Sequence, residues 1–405
     1  MSCAHAAGTS PATFGVLRLP RTVVVGARQR FSVADIAAQF GANVLICTDP
    51  RLALSEELRA LVRILKDRDL TVRVYGDTQA ELPTPAILAC VDGLDGQEPD
   101  VIIGFGGGSC IDMAKVVSVL LTHGGKPSDY YGEFAVPGPT KPVIAVPTTS
   151  GTGSEATAVA VVSDPQLGMK MGISSLHIIP YAAVCDPAAT GADTFVHLVE
   201  SFTAITRKPT AALADERVFV GKNVLTDEIA LNGIGLVGRH LVTAYKDPEN
   251  EEARAGMMLA ALYGGVVLSN AGTAAAHAIQ YPVGAVTHTP HGVGVGLLLP
   301  YVVRHNFEAI QPQLARIADA LGRNISELNQ RAAALAGVEA IDEVIAAIEL
   351  PATLKDLGVQ ESDLAHVARL SMNSKRLIDN NPVPLDLEAV NSIVHAAFVG
   401  YRTIR

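Results

Sequence analysis

Four side chains in the second half of the chain could bind one metal ion. Asp193 and His197 are four residues apart where a helix is predicted to begin, so both lie on one helical face. His277 and His291 are fourteen residues apart. We predict that His277 ends a helix over residues 271–279, which Pro282 and Gly284 break, and that His291 opens the next helix. One carboxylate and three imidazoles suit Fe²⁺ or Zn²⁺ and leave room for a substrate oxygen. Taken singly, such an Asp–His pair is more often a surface pair or a cap, and a histidine among alanines is more often a core residue.

A glycine-rich turn in the first half could bind phosphate. Gly106, Gly107, Gly108 and Ser109 directly follow a Val/Ile-rich run at residues 101–105. A strand, a glycine turn and a helix together expose backbone N–H groups, and the helix N-terminus adds partial positive charge. Ser109 could cap the helix or donate to a ligand oxygen. The turn has neither GxGxxG nor Walker spacing, so an ordinary strand-to-helix turn is the alternative.

Two further segments favour a nucleotide site. Residues 147–155 follow another predicted strand and alternate hydroxyls with glycines, which suits either contact with a nucleotide or a solvated turn. Asp49 follows the run at 43–48, where a carboxylate could accept hydrogen bonds from an adenosine ribose and repel a 2′-phosphate, favouring NAD over NADP. The alternative for Asp49, which precedes Pro50, is a helix N-cap.

The elements that would position these residues differ between the two halves. Short Val/Ile-rich runs in the first half predict buried parallel strands, and amphipathic segments at 55–67 and 111–121 predict helices between them. This alternation predicts a doubly wound, Rossmann-like α/β domain. The predicted strands cover residues 22–26, 43–48, 71–75, 101–105 and 142–146.

After about Gly191 the pattern becomes helical almost throughout. We therefore predict two domains, an α/β dinucleotide-binding domain over residues 1–190 and an all-helical domain over 191–405, as suits a chain of 405 residues. The predicted helices of the second domain cover residues 194–206, 227–245, 250–268, 314–321, 338–348 and 387–402.

Composition excludes some classes of partner. A net charge of −10, 5% aromatic residues and no tryptophan argue against a nucleic-acid partner. No apolar run is long enough for a membrane span, and residues 1–22 do not have the pattern of a secretory signal. Five scattered cysteines without CxxC spacing are typical of reduced thiols, so we expect a cytoplasmic protein.

Four motifs, in this order, resemble one known family. They are GGGSCIDMAK (106–115), PTTSGTGSEAT (147–157), DPAATGADTFVH (186–197) and HAIQYPVGAVTHTPHG (277–292). The chain resembles the iron-containing (group III) alcohol dehydrogenases from about Phe14 to Ala397. The resemblance implies an α/β dinucleotide-binding domain followed by an α-helical metal domain, a dehydroquinate synthase-like architecture with the site in the cleft between them.

The resemblance also implies roles for individual residues. Gly106–Ser109 would hold the pyrophosphate of NAD(P), and the substrate oxygen would bind a metal held by the four ligands above. The metal would act as a Lewis acid while nicotinamide takes the hydride, and domain closure would exclude water. The further candidates for cofactor binding are Asp112, Thr148, Thr149, Thr152 and Lys170.

The chain departs from the family pattern at two places. Many members carry a histidine four residues after the third ligand, where this chain has Tyr281, so the proton could leave through Tyr281, His288 or water on the cofactor ribose. Residues 207–225 make an unusually long connection, either a solvated loop or a lid or oligomer contact that attracts an acidic substrate. Its basic residues are Arg207, Lys208, Arg217 and Lys222.

Three other functions compete with an alcohol dehydrogenase. A lyase resembling dehydroquinate synthase also combines NAD with a metal, but it would not release NADH. A hydroxyacid–oxoacid transhydrogenase would not depend on added NAD. A non-catalytic nucleotide-binding relative would lack turnover altogether. We expect a small alcohol or aldehyde substrate in a pocket near Leu268 and Tyr281, and a homo-oligomer, dimeric or larger.

Overall fold

The computed structural model describes residues 14–26, 29–149, 151–185, 191–210, 212–287 and 289–400. The prediction for His288 therefore lies outside the described residues, as do those for residues 1–13 and for the end of the last helix beyond residue 400.

The first half contains the predicted parallel sheet. Its six strands run in the order β1-β9-β6-β4-β2-β3, and all neighbours are parallel. A second, three-stranded sheet has the order β5-β8-β7. All five predicted strands are present, but β1 and β3 are partly exposed rather than buried, because they form the two edges of the sheet. Strand β9 was missed because its alanine-rich sequence AAVC carries little strand propensity. The strands are β1 (Thr22–Val25), β2 (Asn43–Cys47), β3 (Thr71–Tyr75), β4 (Val101–Gly106), β5 (Gly132–Glu133), β6 (Val143–Pro147), β7 (Val159–Asp164), β8 (Met169–Ser174) and β9 (Ala182–Cys185).

Helices cover both faces of the six-stranded sheet. One face, with Leu45 and Ile102, packs against α4 and α5, and the other, with Val44 and Ile103, packs against α1 and α3. The chain passes from β2 outward to β3 and crosses back to β4, so the strand order reverses beside the glycine turn. These helices are α1 (Ser32–Ala37), α2 (Pro50–Ala53), α3 (Glu56–Lys66), α4 (Thr84–Asp92) and α5 (Gly108–His123).

The second half is helical, as predicted, and it has its own apolar core. Short 3₁₀ helices at Gln29–Phe31, Pro127–Tyr130, Ser154–Ala156, Leu176–Ile178 and Glu361–Asp363 complete the described elements. The helices of this half are α6 (Ala192–Thr203), α7 (Leu213–Glu216), α8 (Val224–Lys246), α9 (Glu251–Ala271), α10 (Ala275–Thr287), α11 (His291–Ala320), α12 (Gln330–Ala347), α13 (Leu364–Ser371), α14 (Lys375–Ile378) and α15 (Leu387–Val399).

The predicted helix over residues 271–279 was wrong in its bounds. Gly272 ends α9 with a φ of +82°, and a new helix begins at Ala275, so His277 lies in the first turn of α10 rather than at the end of a helix. Pro282 lies inside α10 instead of breaking it. The helix tolerates this proline because its buried face packs into the helical core, and packing outweighs local propensity.

The long connection at 207–225 is exposed at residues 208–210, 215 and 216 but buried further along. Val218, Phe219 and Val220 are buried, and the Val220 N–H donates to the carbonyl of Asn270 at the end of α9. The alternative of a solvated loop is therefore wrong for residues 218–220, because their apolar side chains are buried and the backbone is hydrogen-bonded to α9.

The two halves meet at a very close backbone contact. A Cβ built on Gly153, which has a φ of +62°, would lie 2.4 Å from Cα of Gly265 in α9. Around it, the hydroxyl of Thr194 donates to the carbonyl of Gly151 at 3.0 Å, and the N–H of Ala158 donates to the hydroxyl of Ser269 at 2.9 Å. The loop that follows β6 is thus fixed on the helical half.

Among the described residues, no single helix has both the length and the apolar character to cross a membrane. The pair α9 and α10, bent by 105° relative to each other, passes that test together by length and composition alone.

Candidate active site

Three helix N-termini bring the four predicted metal-ligating side chains together. Asp193 lies in the first turn of α6, His197 one turn later, His277 in the first turn of α10, and His291 is the first residue of α11. Helix N-termini carry partial positive charge, which favours the Asp193 carboxylate at this junction.

The side-chain atoms converge on one carboxylate oxygen. From Asp193 Oδ1, the Nε2 atoms of His197, His277 and His291 lie at 3.3, 3.6 and 3.8 Å. The ligand atoms of Asp193, His277 and His291 all lie within 4.8 Å of one another. The ring of His197 stacks on that of His277 with centroids 5.0 Å apart. Four donors on a tetrahedral ion with bonds of about 2.1 Å would be separated by roughly 3.4 Å, so the cluster has the right size.

The hydrogen-bonding of this cluster fits a metal as well. Asp193 Oδ1 and His277 Nε2 are buried and have no hydrogen-bond partner among the described residues. Buried polar atoms without partners are costly, and a bound cation would satisfy both of these. The donor set of three imidazoles and one carboxylate is one that Fe²⁺ or Zn²⁺ accepts.

Burial and mutual charge set the ionisation of the cluster. Burial is the largest influence on His197 and His291, and it lowers their pKa values to about 4 and about 3. Burial would also lower the pKa of His277, but the Asp193 and Glu200 carboxylates outweigh it and raise that pKa to about 9. The three imidazoles outweigh burial at Asp193 and hold its pKa well below the usual value. Metal binding would therefore displace a proton from His277.

Glu200 is a functional residue that the sequence analysis missed. Its buried carboxylate accepts from the N–H groups of Ala274 and Ala276 at 3.0 and 2.7 Å, and its Oε2 lies 2.6 Å from His277 Nδ1. It therefore holds the imidazole of His277 with Nε2 directed at Asp193. A signal was present, because Asp193, His197 and Glu200 follow the spacing of one helical face.

The glycine turn at the end of β4 is built for close approach. Gly106 has a φ of +147°, and a Cβ there would lie 2.6 Å from Sγ of Cys110, so only glycine fits. Gly107 is the N-cap of α5, and its carbonyl accepts from the N–H of Cys110 at 3.0 Å. Within the described chain the N–H groups of Gly108 and Ser109 therefore have no backbone partner. Of the two roles considered for Ser109, the helix cap is not observed, because the N-cap lies two residues earlier at Gly107 and Ser109 is the second residue of the helix. Ser109 lines the cleft, and its contact with a ligand oxygen stays a prediction.

A buried polar network joins α5 to the second loop. Lys115 Nζ donates to the hydroxyls of Ser154 and Thr157, both at 2.9 Å, and to the carbonyl of Val159 at 2.8 Å. Asp112 accepts from the Ser154 hydroxyl at 2.5 Å and from the Val161 N–H at 2.9 Å. The network fixes the loop of residues 152–157 against the helix that carries the glycine turn.

The remaining predicted cofactor residues have different positions. Asp49 caps α2, because its Oδ1 accepts from the N–H of Leu52 at 2.9 Å, so the helix-cap alternative is observed and the ribose contact stays a prediction. Thr148 has a buried hydroxyl without a partner among the described residues. Thr149 lies against Gly107, while Thr152 lines the cleft.

One cleft of about 560 Å³ connects the two groups of residues. Gly108, Ser109, Asp112 and Thr152 lie on one side, and the metal-ligand cluster lies on the other, together with Leu268 and Tyr281. Lys170 also lines the cleft, and its Nζ lies 3.0 Å from Oε1 of Glu81. The glycine turn and the predicted metal ligands therefore face one space.

Tyr281 lies one turn after His277 in α10, and its ring centroid is 6.1 Å from that of His291. Burial, opposed by the charge of Arg376, raises the pKa of Tyr281, so the phenol keeps its proton at neutral pH. Its hydroxyl forms no hydrogen bond within the described part of the chain.

Comparison with known proteins assigns the chain to a family. A family model described as iron-containing alcohol dehydrogenase matches residues 20–187, and the model of the C-terminal part of the Fe-containing alcohol dehydrogenase family matches residues 187–398. The chain belongs to the iron-containing alcohol dehydrogenase family. The predicted family, fold class and enzyme class are thereby confirmed.

Individual members of the family are similar over almost the whole chain. Sulfoacetaldehyde reductase of Bilophila wadsworthia is 32% identical over 371 residues, which cover 88% of this chain and 92% of that protein. A solved structure of 1,3-propanediol oxidoreductase is 26% identical, with a TM-score of 0.88 over 95% of this chain and all of that one. The structure of sulfoacetaldehyde reductase from Bifidobacterium kashiwanohense in complex with NAD⁺ is 25% identical, with a TM-score of 0.77, and covers 95% and 99%.

Proposed function

We propose that the chain transfers hydride reversibly between a nicotinamide cofactor and a small alcohol or hydroxyacid, forming the aldehyde or oxoacid. The observation that carries the proposal is the single cleft in which the glycine turn faces the Asp193–histidine cluster. We expect NAD to be preferred to NADP, and Fe²⁺, or Zn²⁺, to be held by Asp193, His197, His277 and His291. The NAD⁺ complex of a relative and the family name support the choice of cofactor and metal.

The chain's own residues would bind and orient the reactants. When bound, the metal supplies Lewis-acid polarisation of the substrate oxygen, and the nicotinamide supplies or accepts the hydride. The first-turn N–H groups of α5 would receive the pyrophosphate, because they combine unpaired donors with a helix N-terminus. Glu200 would keep His277 oriented, and Leu268 would exclude water beside the reacting carbon.

Tyr281 remains our first candidate for the proton route, and His288 and a water chain to the cofactor ribose are the alternatives. Tyr281 is supported by its place in the cleft and by a raised pKa, which keeps a phenol O–H available as a hydrogen-bond donor to the substrate. Replacement by phenylalanine would test this, since loss of a proton route lowers kcat and changes its pH profile, whereas loss of packing alone leaves that profile unchanged.

The function is tested by loading purified protein anaerobically with Fe²⁺ or Zn²⁺ and measuring NADH formation from a series of small alcohols. Metal content is determined in parallel for wild type, for His277→Ala and for the exposed control His366→Ala. We expect stoichiometric metal and metal-dependent NADH formation in wild type and the control, and loss of both in His277→Ala. Full metal occupancy after His277→Ala would rule out its role as a ligand.

The same assay separates the rival functions. A transhydrogenase would exchange hydride between a hydroxyacid and an oxoacid without added NAD. A lyase of the dehydroquinate synthase type would release no net NADH. A non-catalytic relative would bind nucleotide without turnover of any substrate.

Cellular setting and assembly are further parts of the proposal. We propose a cytoplasmic enzyme that acts as a homo-oligomer, dimeric or larger, without nucleic-acid or membrane partners. The net charge of −10 and the buried free thiols of Cys47, Cys90, Cys110 and Cys185 support this setting. The domain division at residues 190 and 191 also remains a proposal, supported by the last strand ending at Cys185 and α6 beginning at Ala192.

A further inference from the structure

A guanidinium group lines the cleft close to the metal-ligand cluster. Arg376 belongs to α14, which packs against α10, the helix that carries His277 and Tyr281. Arg376 and Tyr281 both line the cleft, and among charged residues Arg376 has the largest effect on the pKa of Tyr281.

The backbone around Arg376 is firmly anchored. Leu377 and Ile378, which follow it, are buried in the helical core. The amide of Asn380 then donates to the carbonyls of Ala271 and Thr273, at 3.0 and 3.1 Å, at the turn between α9 and α10. The guanidinium is therefore presented from a fixed support rather than from a loose surface loop.

The side chain of Arg376 lacks an anionic partner. Its guanidinium carbon lies 4.3 Å above the ring of Phe219, a contact that partly offsets the loss of solvation. Within the described residues it forms no hydrogen bond and no ion pair. Glu133 acts on it electrostatically, but the Oε2 of that carboxylate accepts from the Val218 N–H at 2.9 Å and lies outside ion-pair distance of Arg376.

The other charged side chains that line the cleft are already engaged. Lys170 pairs with Glu81, Asp112 is bound by Ser154 and lies near Lys115, and Asp193 belongs to the metal-ligand cluster. Arg376 is thus the charged residue of the cleft lining whose partner is missing from the described chain. A partly buried charge without a partner is costly, and an anionic ligand removes that cost.

We propose that Arg376 binds an anionic group of the substrate, so that the preferred substrates are short aldehydes and alcohols carrying a carboxylate or sulfonate. The proposal rests on the proposed dehydrogenase function and narrows its substrate class. A planar guanidinium forms paired hydrogen bonds with such oxyanions, which a lysine ammonium does not reproduce. Phe219, from the segment 207–225, acts as a positioning residue, because the guanidinium of Arg376 packs on the face of its ring.

The test compares two aldehydes of equal chain length, one neutral and one ending in a carboxylate, with metal-loaded enzyme and NADH. The variants are Arg376→Met, Arg376→Lys and the control Lys375→Met, which removes an exposed charge from the same helix. Wild type should prefer the carboxylate substrate by at least about tenfold in kcat/KM. Arg376→Met should lose about 100-fold for that substrate, mainly in KM, and stay within about threefold for the neutral one. Arg376→Lys should recover only part of the loss, and Lys375→Met should match wild type.

A binding measurement keeps this inference separate from the proposed activity. Calorimetric titration of the NAD-bound protein with succinate, a non-reacting dicarboxylate, should show binding to wild type that Arg376→Met abolishes. If no aldehyde is reduced but succinate binding still depends on Arg376, the dehydrogenase proposal is refuted and the anion site is supported. Equal rates on both aldehydes, equal losses for both in Arg376→Met, a raised KM for NADH instead, or no succinate binding would each overturn the role of Arg376 in binding the substrate.

Discussion

Glu200 supports the metal-ligand cluster from behind, and its replacement tests how far that support matters. In Glu200→Gln the side-chain shape is kept, but one oxygen becomes an amide facing a backbone N–H, and the charge behind His277 is lost. We expect metal affinity to fall about 10- to 100-fold while the fold is retained. Competition with a chelator measures the affinity, and the exposed Glu339→Gln is the control. Unchanged affinity would show that Glu200 is only a helix-turn anchor.

Asp49 caps α2 and is predicted to contact the cofactor ribose, and a single substitution can separate these two roles. Asparagine caps helices about as well as aspartate, so Asp49→Asn keeps the bond to Leu52 while removing the negative charge. If the charge excludes the 2′-phosphate, the ratio of kcat/KM for NADP to that for NAD should rise at least about tenfold. Steady-state kinetics with both cofactors measure it, with the exposed Asp92→Asn as control. A constant ratio would leave Asp49 as a cap alone.

For individual residues, the sequence predicted the candidate metal ligands better than it predicted contacts between side chains that are far apart in the chain. The four metal-ligating candidates were found because their spacing and motifs are local, and the structure brings them together around Asp193 Oδ1. Arg376 could not be found, since its place in the cleft depends on α14 packing against α10, about a hundred residues earlier in the chain. The cap considered for Ser109 is not observed because the helix starts two residues earlier, which makes Ser109 a residue of the cleft lining.

Among the elements, α9 and the loop after β6 are in direct backbone contact. A Cβ on Gly265 would lie 2.2 Å from the carbonyl oxygen of Gly153, so Gly265→Ala must push the loop away from the helix. We expect a loss of about 1–3 kcal/mol in the free energy of unfolding and a raised KM for NAD. The control is Gly264→Ala, whose Cβ would make an ordinary 3.5 Å contact. Denaturant titration measures the stability, and steady-state kinetics measure the KM for NAD. If the two variants do not differ in either quantity, the close contact between Gly153 and Gly265 is disproved.

The buried network beneath that loop predicts a pH effect on stability. Burial raises the pKa of Glu155 from 4.5 to about 7, with Lys115 opposing it. The folded state then holds a proton that the unfolded chain releases. Glu155 therefore stabilises the fold below about pH 4.5, and this contribution of about 3 kcal/mol is lost as the pH rises through about 7. Glu155→Gln should gain stability relative to wild type between those pH values. Urea titrations measure it, with the exposed Glu57→Gln as control, and a parallel pH dependence in variant and wild type would refute the assignment.

Strands were easier to predict than helix ends. Runs such as VIIGF in β4 and VIAV in β6 identify buried strands through composition alone, whereas AAVC in β9 depends on neighbours on both sides for its conformation. The helix carrying His277 was misplaced because Gly272, not Pro282, marks the boundary. Both glycine and proline can end a helix. Packing against the rest of the protein decides which one does, and the local sequence carries no information about that packing.

For the molecule as a whole, the two halves share a hydrogen-bonded seam. The backbone N–H of Arg18, near the start of the described chain, donates to Asn270 of the helical half at 2.7 Å, and Thr194 binds the carbonyl of Gly151. We expect the most protected amides of β4 and α9 to exchange through one global opening with equal free energies. Native-state hydrogen exchange in low denaturant measures this. Sheet amides that open at lower denaturant than those of α9 would show two independent folding units.

The close contact of Gly153 with Gly265 also limits how this enzyme can be recombined with its relatives. A chimaera that exchanges the sheet-bearing half between family members separates a loop from the helix shaped to receive it. A donor whose helix carries any side chain at the position of Gly265 would clash with the incoming loop. The transferable module is therefore not a domain but the loop after β6 together with α9, and a library designed to change cofactor use should move these two segments as one unit.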